Sequence, residues 1–292
     1  MRGRAVAASP LSIGQCATLA CVLEATAAKP GNVHRGADFH DMSYFDFLAS
    51  GIAIAPAMEA AGTQRLGQTV LAAIAATRAV VSANTNLGIV LLLSPLAAAK
   101  DLSPVGVQAI VDAANIDDTR DVYRAIRLAK PGGMGRAEEQ DVRDEPTLPL
   151  VAAMRLAEDR DAIARQYVCG FADIWRMADW LADEAASSSL AAAIVRTQLR
   201  VLAEMPDSLI MRKGGPALAQ QASDRAAELL SRGRHGDESY EQGLRDFDFW
   251  LRADGNRRNP GTTADLITAA LFALLRAGRL PPPFSFYTAA AL

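Results

Sequence analysis

Apolar residues recur at three- and four-residue spacing along most of the chain, the pattern of helices that each bury one face. Ser12 followed by Gln15 forms a capping-box signature ahead of a helix carrying Cys16, Leu19, Val22 and Leu23, which ends before Lys29-Pro30-Gly31. Ser43 with Asp46 opens a second helix through Phe47, Leu48, Ile52 and Met58, bent or broken near Pro56. The same periodicity predicts helices near 67–81, 87–99, 104–114, 119–130, 147–157, 161–185, 188–204, 216–232, 240–253 and 262–277. Ser103-Pro104 and Thr262/Thr263 have the form of N-terminal caps, and Lys130-Pro131-Gly132-Gly133 that of a stop. There is no strand-like alternation and no βαβ rhythm. The expectation is an all-α, compact multi-helix single domain spanning 1–292, with a polar site built from inter-helix turns.

Composition narrows this picture. With 292 residues, 50% hydrophobic and 22% charged, the chain can bury a substantial core, and disorder is excluded. A net charge of −3 supplies no basic field for nucleic acid. Three cysteines without a CxxC pair argue against a disulfide framework or structural zinc, and fit a cytoplasmic protein. The opening residues lack the sustained apolar run of a signal peptide. Ala79 to Ala99 is uncharged and long enough to span a bilayer, but Asn84, Thr85, Asn86, Gly88, Ser94 and Pro95 interrupt it, so no membrane span is expected.

Polar residues collect in four segments where a helical bundle would ordinarily have plain turns. Glu24 to Arg35 gathers Glu24, Lys29, Asn32, His34 and Arg35 around one Pro-Gly turn; Lys29 and Arg35 could clamp phosphate there, or the turn could simply be solvated. Asp38 and Asp41 flank His40 and are candidate Mg²⁺ ligands, although Asp41 could instead cap the next helix. Asn84 and Asn86 place two amides at the mouth of a buried helix, where each needs a partner. In the last third, Asp207 precedes Arg212-Lys213-Gly214-Gly215, and Asn256-Arg257-Arg258-Asn259-Pro260-Gly261 precedes Asp265. Basic residues beside helix starts are ready anion sites, while Asp265 also has the spacing of a capping residue after Thr262. The 131–146 stretch reads as a lid or as a plain connection. The Arg120, Arg124, Arg127 stripe reads as a solvated face, the three tryptophans as core or interface anchors, and Cys16 and Cys21 as buried hydrophobes.

In order, these segments resemble the triphosphoribosyl-dephospho-CoA synthase family. The resemblance lies in Leu23-Glu24-x-Thr26 with Lys29-Pro30-Gly31, Asp41-Met42 with Phe47 and Ser50, and Asn84-Thr85-x-x-Gly88. It continues through Gly135 to Glu139, Asp207 with Lys213-Gly214-Gly215, and Pro260-Gly261-x-x-Ala264-Asp265-Leu266, covering roughly 20 to 275. It implies an all-α enzyme that takes the triphosphoribosyl group of ATP, expels adenine and attaches the sugar to a hydroxyl of dephospho-CoA, with Mg²⁺ expected. A carboxylate would stabilise the oxocarbenium-like state and another would accept the hydroxyl proton. The resemblance thus implies Glu24 and Asp207 as catalytic residues, and Lys29, Asn32, His34, Arg35, Asn84, Asn86, Arg212 and Lys213 as binding residues. Asp38, Asp41 and Asp265 are the implied metal ligands. A homodimer is an admissible assembly. The chain departs from the family at Phe39 and Asn86, where the family has histidine, and at Ser208-Leu209, where it has Thr-Asn. Those changes leave room for a ribosyl transferase acting on another acceptor, as in the biosynthesis of a one-carbon pterin cofactor of the tetrahydromethanopterin type. They also leave room for a non-catalytic nucleotide-binding protein.

Overall fold

In a computed structural model describing residues 10–133 and 135–287, helices account for nearly all regular structure, and an isolated bridge between His34 and Ala37 is the sole β-pairing among the described residues. The helices are α1 (Ile13–Thr26), α2 (Tyr44–Ala53), α3 (Ala55–Glu59), α4 (Leu66–Val80), α5 (Leu87–Ala98), α6 (Pro104–Asp112), α7 (Ile116–Ala129) and α8 (Leu150–Arg155). They continue as α9 (Ala162–Val168), α10 (Ala172–Ala185), α11 (Leu190–Glu204), α12 (Ser208–Gly214), α13 (Pro216–Ser231), α14 (Glu238–Arg252) and α15 (Gly261–Arg276). A short 3-10 turn, Ala61–Thr63, follows α3. The reading of residues 1–9 lies outside the described residues. No helix among the described residues is long and apolar enough to cross a membrane; the apolar run at 79–99 is divided between the end of α4, a polar turn and α5.

Local chemistry sets the boundaries. Ser12 caps α1 and Ser43 caps α2 in full capping boxes with Gln15 and Asp46, and Ser103 caps α6 with Pro104 in its first turn. Asp41 is therefore not the cap of α2. The predicted single helix over 161–185 is two: Gly170 and Phe171 both take positive φ (66° and 60°) and break it between α9 and α10. Ahead of the Gly214-Gly215 turn lies a short helix that the periodicity does not predict, α12, which starts because the Asp207 side chain accepts from the Leu209 and Ile210 amides. Thr262 and Thr263 lie inside the first turn of α15 rather than capping it, and Asp265 closes no capping box.

Two hydrophobic clusters divide the interior. The larger is built on α5 and α15, almost every residue of which is buried, with α1, α3, α4, α7, α9 and α10 packed around them. The smaller lies among α11, α12, α13 and α14. Helix α11 is the shared wall: Ile194 and Val201 face the first cluster, Leu199 and Leu202 the second. Trp175 and Trp180 rest against the larger cluster and Trp250 against the smaller, and Cys16 and Cys21 are buried. The described residues of segment 131–146 form no helix or strand, yet the segment is stitched down. Asp141 accepts from the Ala137 amide and the Arg143 guanidinium, Tyr123 donates to the Gln140 carbonyl, and Arg120 and Arg127 reach Glu145 and the Val142 carbonyl.

Candidate active site

Glu24 is the last acid of α1 and is 3% exposed; Lys29, in the turn that follows, is 0% exposed. Their side chains pair at 2.8 Å, and Lys29 Nζ also donates to the Glu24 carbonyl (2.5 Å) and the Ala27 carbonyl (3.4 Å). All three ammonium donors are thus used internally. Lys29, expected to grip phosphate, instead holds Glu24.

Asp207, 2% exposed, receives two donors on each oxygen: Leu209 and Ile210 amides on Oδ1 at 2.8 and 3.0 Å, and the amide and hydroxyl of Thr263 on Oδ2 at 2.7 and 2.8 Å. Burial pushes its carboxyl upward and these four bonds pull the other way. One acid therefore joins the first turns of α12 and α15, and Ser208 Oγ reinforces the joint by bonding Thr262 Oγ1 at 3.1 Å. Asp265, one turn further along α15, is half-buried. Desolvation, then Glu24, Asp207 and Asp161, hold its carboxyl well above the usual carboxylate range, with Arg212 opposing. Its Oδ2 lies so close to Gly88, in the first turn of α5, that a β-carbon there would overlap it.

The basic residues border this acidic group. Arg212 faces Asp161 at 3.6 Å, and Lys213 Nζ donates to the Asn256 carbonyl and side chain at 3.2 and 3.3 Å. Partial burial lowers the Lys213 ammonium, which Asp41 and Asp207 counter. Asn84 accepts from the Leu87 amide at 3.3 Å; Asn86, 3% exposed, donates to Thr77 at 2.9 Å and leaves Oδ1 without a donor. Thr85 and Ser50 share a 2.5 Å bond beside them.

The structure separates several residues that the sequence had grouped. Asn32 is a structural link: it donates to Asn259 Oδ1 and accepts from Gln198, each at 2.8 Å. His34 accepts from the Gly36 amide, and burial with the Arg252 charge lowers it to about 4, leaving a neutral ring at pH 7. Arg35 stacks on Tyr287 at 5.0 Å. The three carboxylates expected to bind magnesium do not converge. Asp38 accepts from the Tyr44 amide (2.6 Å), Asp41 from Asn256 Nδ2 (3.2 Å), and Asp265 lies on α15 against Gly88. No group of three metal-ligating side chains able to hold an ion occurs among the described residues, and this donor set does not fit a resident Mg²⁺ site.

Sequence reasoning missed Asp161, Gln198, Asp248 and Arg252. Asp161 had a readable signal, an acid before a helical run, and it caps α9 through the Ile163 and Ala164 amides. Asp248 and Arg252 form an i,i+4 pair that looks like any helix surface; only the fold shows them binding the Gly31 amide and the Asn32 carbonyl. Two surface grooves lie elsewhere: one of about 370 Å³ beside Trp180, Arg196 and Arg200, the other of about 560 Å³ beside Arg65, Gln68 and Asp121. Neither contains a predicted site residue.

Comparison with known proteins gives a consistent result. Residues 10–281 match the family described as CitG: ATP:dephospho-CoA triphosphoribosyl transferase. A crystal structure described as that of a candidate triphosphoribosyl-dephospho-CoA synthase from Archaeoglobus fulgidus superposes with a TM-score of 0.63 at 25% identity, covering 79% of this chain and 99% of that one. No curated protein matches.

Proposed function

The chain belongs to the ATP:dephospho-CoA triphosphoribosyl transferase family, and on that premise we propose that it moves the triphosphoribosyl group of ATP to a hydroxyl of dephospho-CoA, releasing adenine. The observation that carries this reading is an acidic group, Glu24, Asp207 and Asp265, bordered by Arg212 and Lys213. ATP is polarised the same way when its sugar reacts. The anomeric carbon gains positive charge as adenine leaves, and the triphosphate carries negative charge throughout. Carboxylates near the sugar stabilise the first, and cations at the border hold the second in place.

In this reading Arg212 and Lys213 bind the phosphate tail, and Asn84 and Asn86 orient the sugar or base. Glu24 supplies negative potential from a position fixed by Lys29, and Asp207 fixes the first turns of α12 and α15. Magnesium enters as the counter-ion of the triphosphate, part of the substrate, and we assign it no ligand in the chain. The whole chain acts as a single catalytic domain. Neither another ribosyl acceptor nor a purely binding role is favoured by the family match or by the structural neighbour.

The test is direct. Purified protein incubated with ATP, Mg²⁺ and dephospho-CoA should release free adenine, followed chromatographically, at a rate that depends on dephospho-CoA. Folded protein that releases none would refute the assignment.

A further inference from the structure

Glu24, Asp161 and Asp207 act on Asp265 where α1, α9, α12 and α15 approach, and each of these three already has partners. Glu24 is held by Lys29 at 2.8 Å. Asp161 accepts from the Ile163 and Ala164 amides at 2.9 and 3.4 Å and faces Arg212 at 3.6 Å. Asp207 already takes four donors. The Asp265 side chain has no hydrogen bond or ion pair among the described residues. It rests against Gly88, where a side chain would displace it. Two residues before that glycine, the buried Oδ1 of Asn86 also lacks a donor. A carboxylate and an amide oxygen, both in want of a donor, thus flank the start of α5.

A group that takes a proton from an alcohol needs a lone pair to which nothing else donates. Asp207, with four donors, does not meet that need; Glu24 has one oxygen tied to Lys29, whereas neither carboxyl oxygen of Asp265 has a donor. Resting on the family reaction proposed above, we propose that Asp265 is the catalytic residue that accepts the proton of the acceptor hydroxyl. As the hydroxyl oxygen bonds to C1 of the ribose, the bond from C1 to adenine N9 breaks and its electron pair leaves with N9. The hydroxyl proton passes to Asp265. Adenine needs one proton to depart as the neutral base, so the proton that Asp265 gains, returned directly or through water, closes the balance.

The charged and titratable groups acting on Asp265 are Glu24 and Cys21 from α1, Asp161 at the head of α9, and Asp207 and Arg212 at either end of α12. Their net negative field and the desolvated setting favour a carboxylate that holds a proton more tightly than usual.

The experiment measures adenine release by the full chain with ATP and dephospho-CoA, alongside calorimetric ATP binding without acceptor. Asp265→Asn should lose at least about 100-fold in kcat, within the range for removing a general base. It should bind ATP within a few-fold of wild type and lack the acid limb of the wild-type kcat–pH profile. Asp265→Glu, which keeps the carboxylate, should recover part of the rate. Asp265→Asn with kcat within tenfold of wild type overturns this inference alone, as does a loss confined to KM for ATP with the acid limb intact. A wild type that is inactive with dephospho-CoA overturns both this inference and the assigned reaction.

Discussion

A lysine without solvent contact must spend its ammonium donors inside the protein, and Lys29 does so on the Glu24 side chain and two carbonyls. Removing one partner of such a pair strands a buried charge, which costs more than the pair contributes. Lys29→Met should therefore destabilise the fold by about 3–5 kcal/mol, read from urea unfolding, and Glu24→Leu in the same chain should recover much of that loss. Unchanged stability with weakened ATP binding would instead make Lys29 a phosphate ligand. Asp265 makes the opposite case, a carboxyl surrounded by acids. Its folded pKa is raised, so above the ordinary aspartate range the folded chain keeps a proton that the unfolded chain has lost. Stability should fall as pH rises through that window in wild type and not in Asp265→Asn. The stability difference should then widen in the variant's favour as pH rises above the ordinary aspartate range, as thermal melts over a series of pH values would record.

Helix ends, more than helix faces, assemble the site. Periodicity reveals the helices because each buries one face, and the capping boxes at Ser12 and Ser43 are legible because their partners are three residues away. The joint between α12 and α15 is not legible: Asp207 and Thr263 are far apart in sequence, and a residue that looks like a catalytic acid turns out to be fixed by four donors. The same holds for Lys29, whose environment depends on how the turn closes over α1. Grouping by segment found Glu24, Asp207, Arg212, Lys213 and Asp265, but assigned roles by residue type before the hydrogen bonds were known. Asp207→Asn should be nearly as damaging as Asp207→Ala, about 2–4 kcal/mol, because an amide nitrogen would meet donors where an oxygen now accepts. Thr263→Val removes one of the two bonds to Oδ2 and should cost about 1 kcal/mol. Equal, small effects from all three substitutions in chemical denaturation would remove Asp207 from this structural role.

Across the whole molecule, the two hydrophobic clusters meet at one polar seam as well as along α11. Asp248 accepts from the Gly31 amide at 2.7 Å, Arg252 donates to the Asn32 carbonyl, and Asn32 bonds Gln198 on α11 and Asn259 in the turn before α15. Gly31 takes φ +76° in that turn, and a β-carbon there would run into Leu251 and Pro260, so the close approach depends on glycine. Asn32→Ala leaves one N–H of the buried Gln198 amide without its acceptor, the bond to the Pro30 carbonyl remaining, and takes the donor from the part-buried Asn259 oxygen, at about 1–3 kcal/mol for the buried group. That loss should fall on the smaller cluster, since the seam ties α14 and the 254–260 turn to the larger one while α5 and α15 keep their apolar packing. Hydrogen exchange should then accelerate in α13, α14 and the 254–260 turn well before α1, α5 or α15. The same turn supplies Asn256, which holds Lys213, so KM for ATP should rise in this variant more than kcat falls. Uniform acceleration throughout the chain would show that the two clusters open as one cooperative unit and that the seam does not separate them.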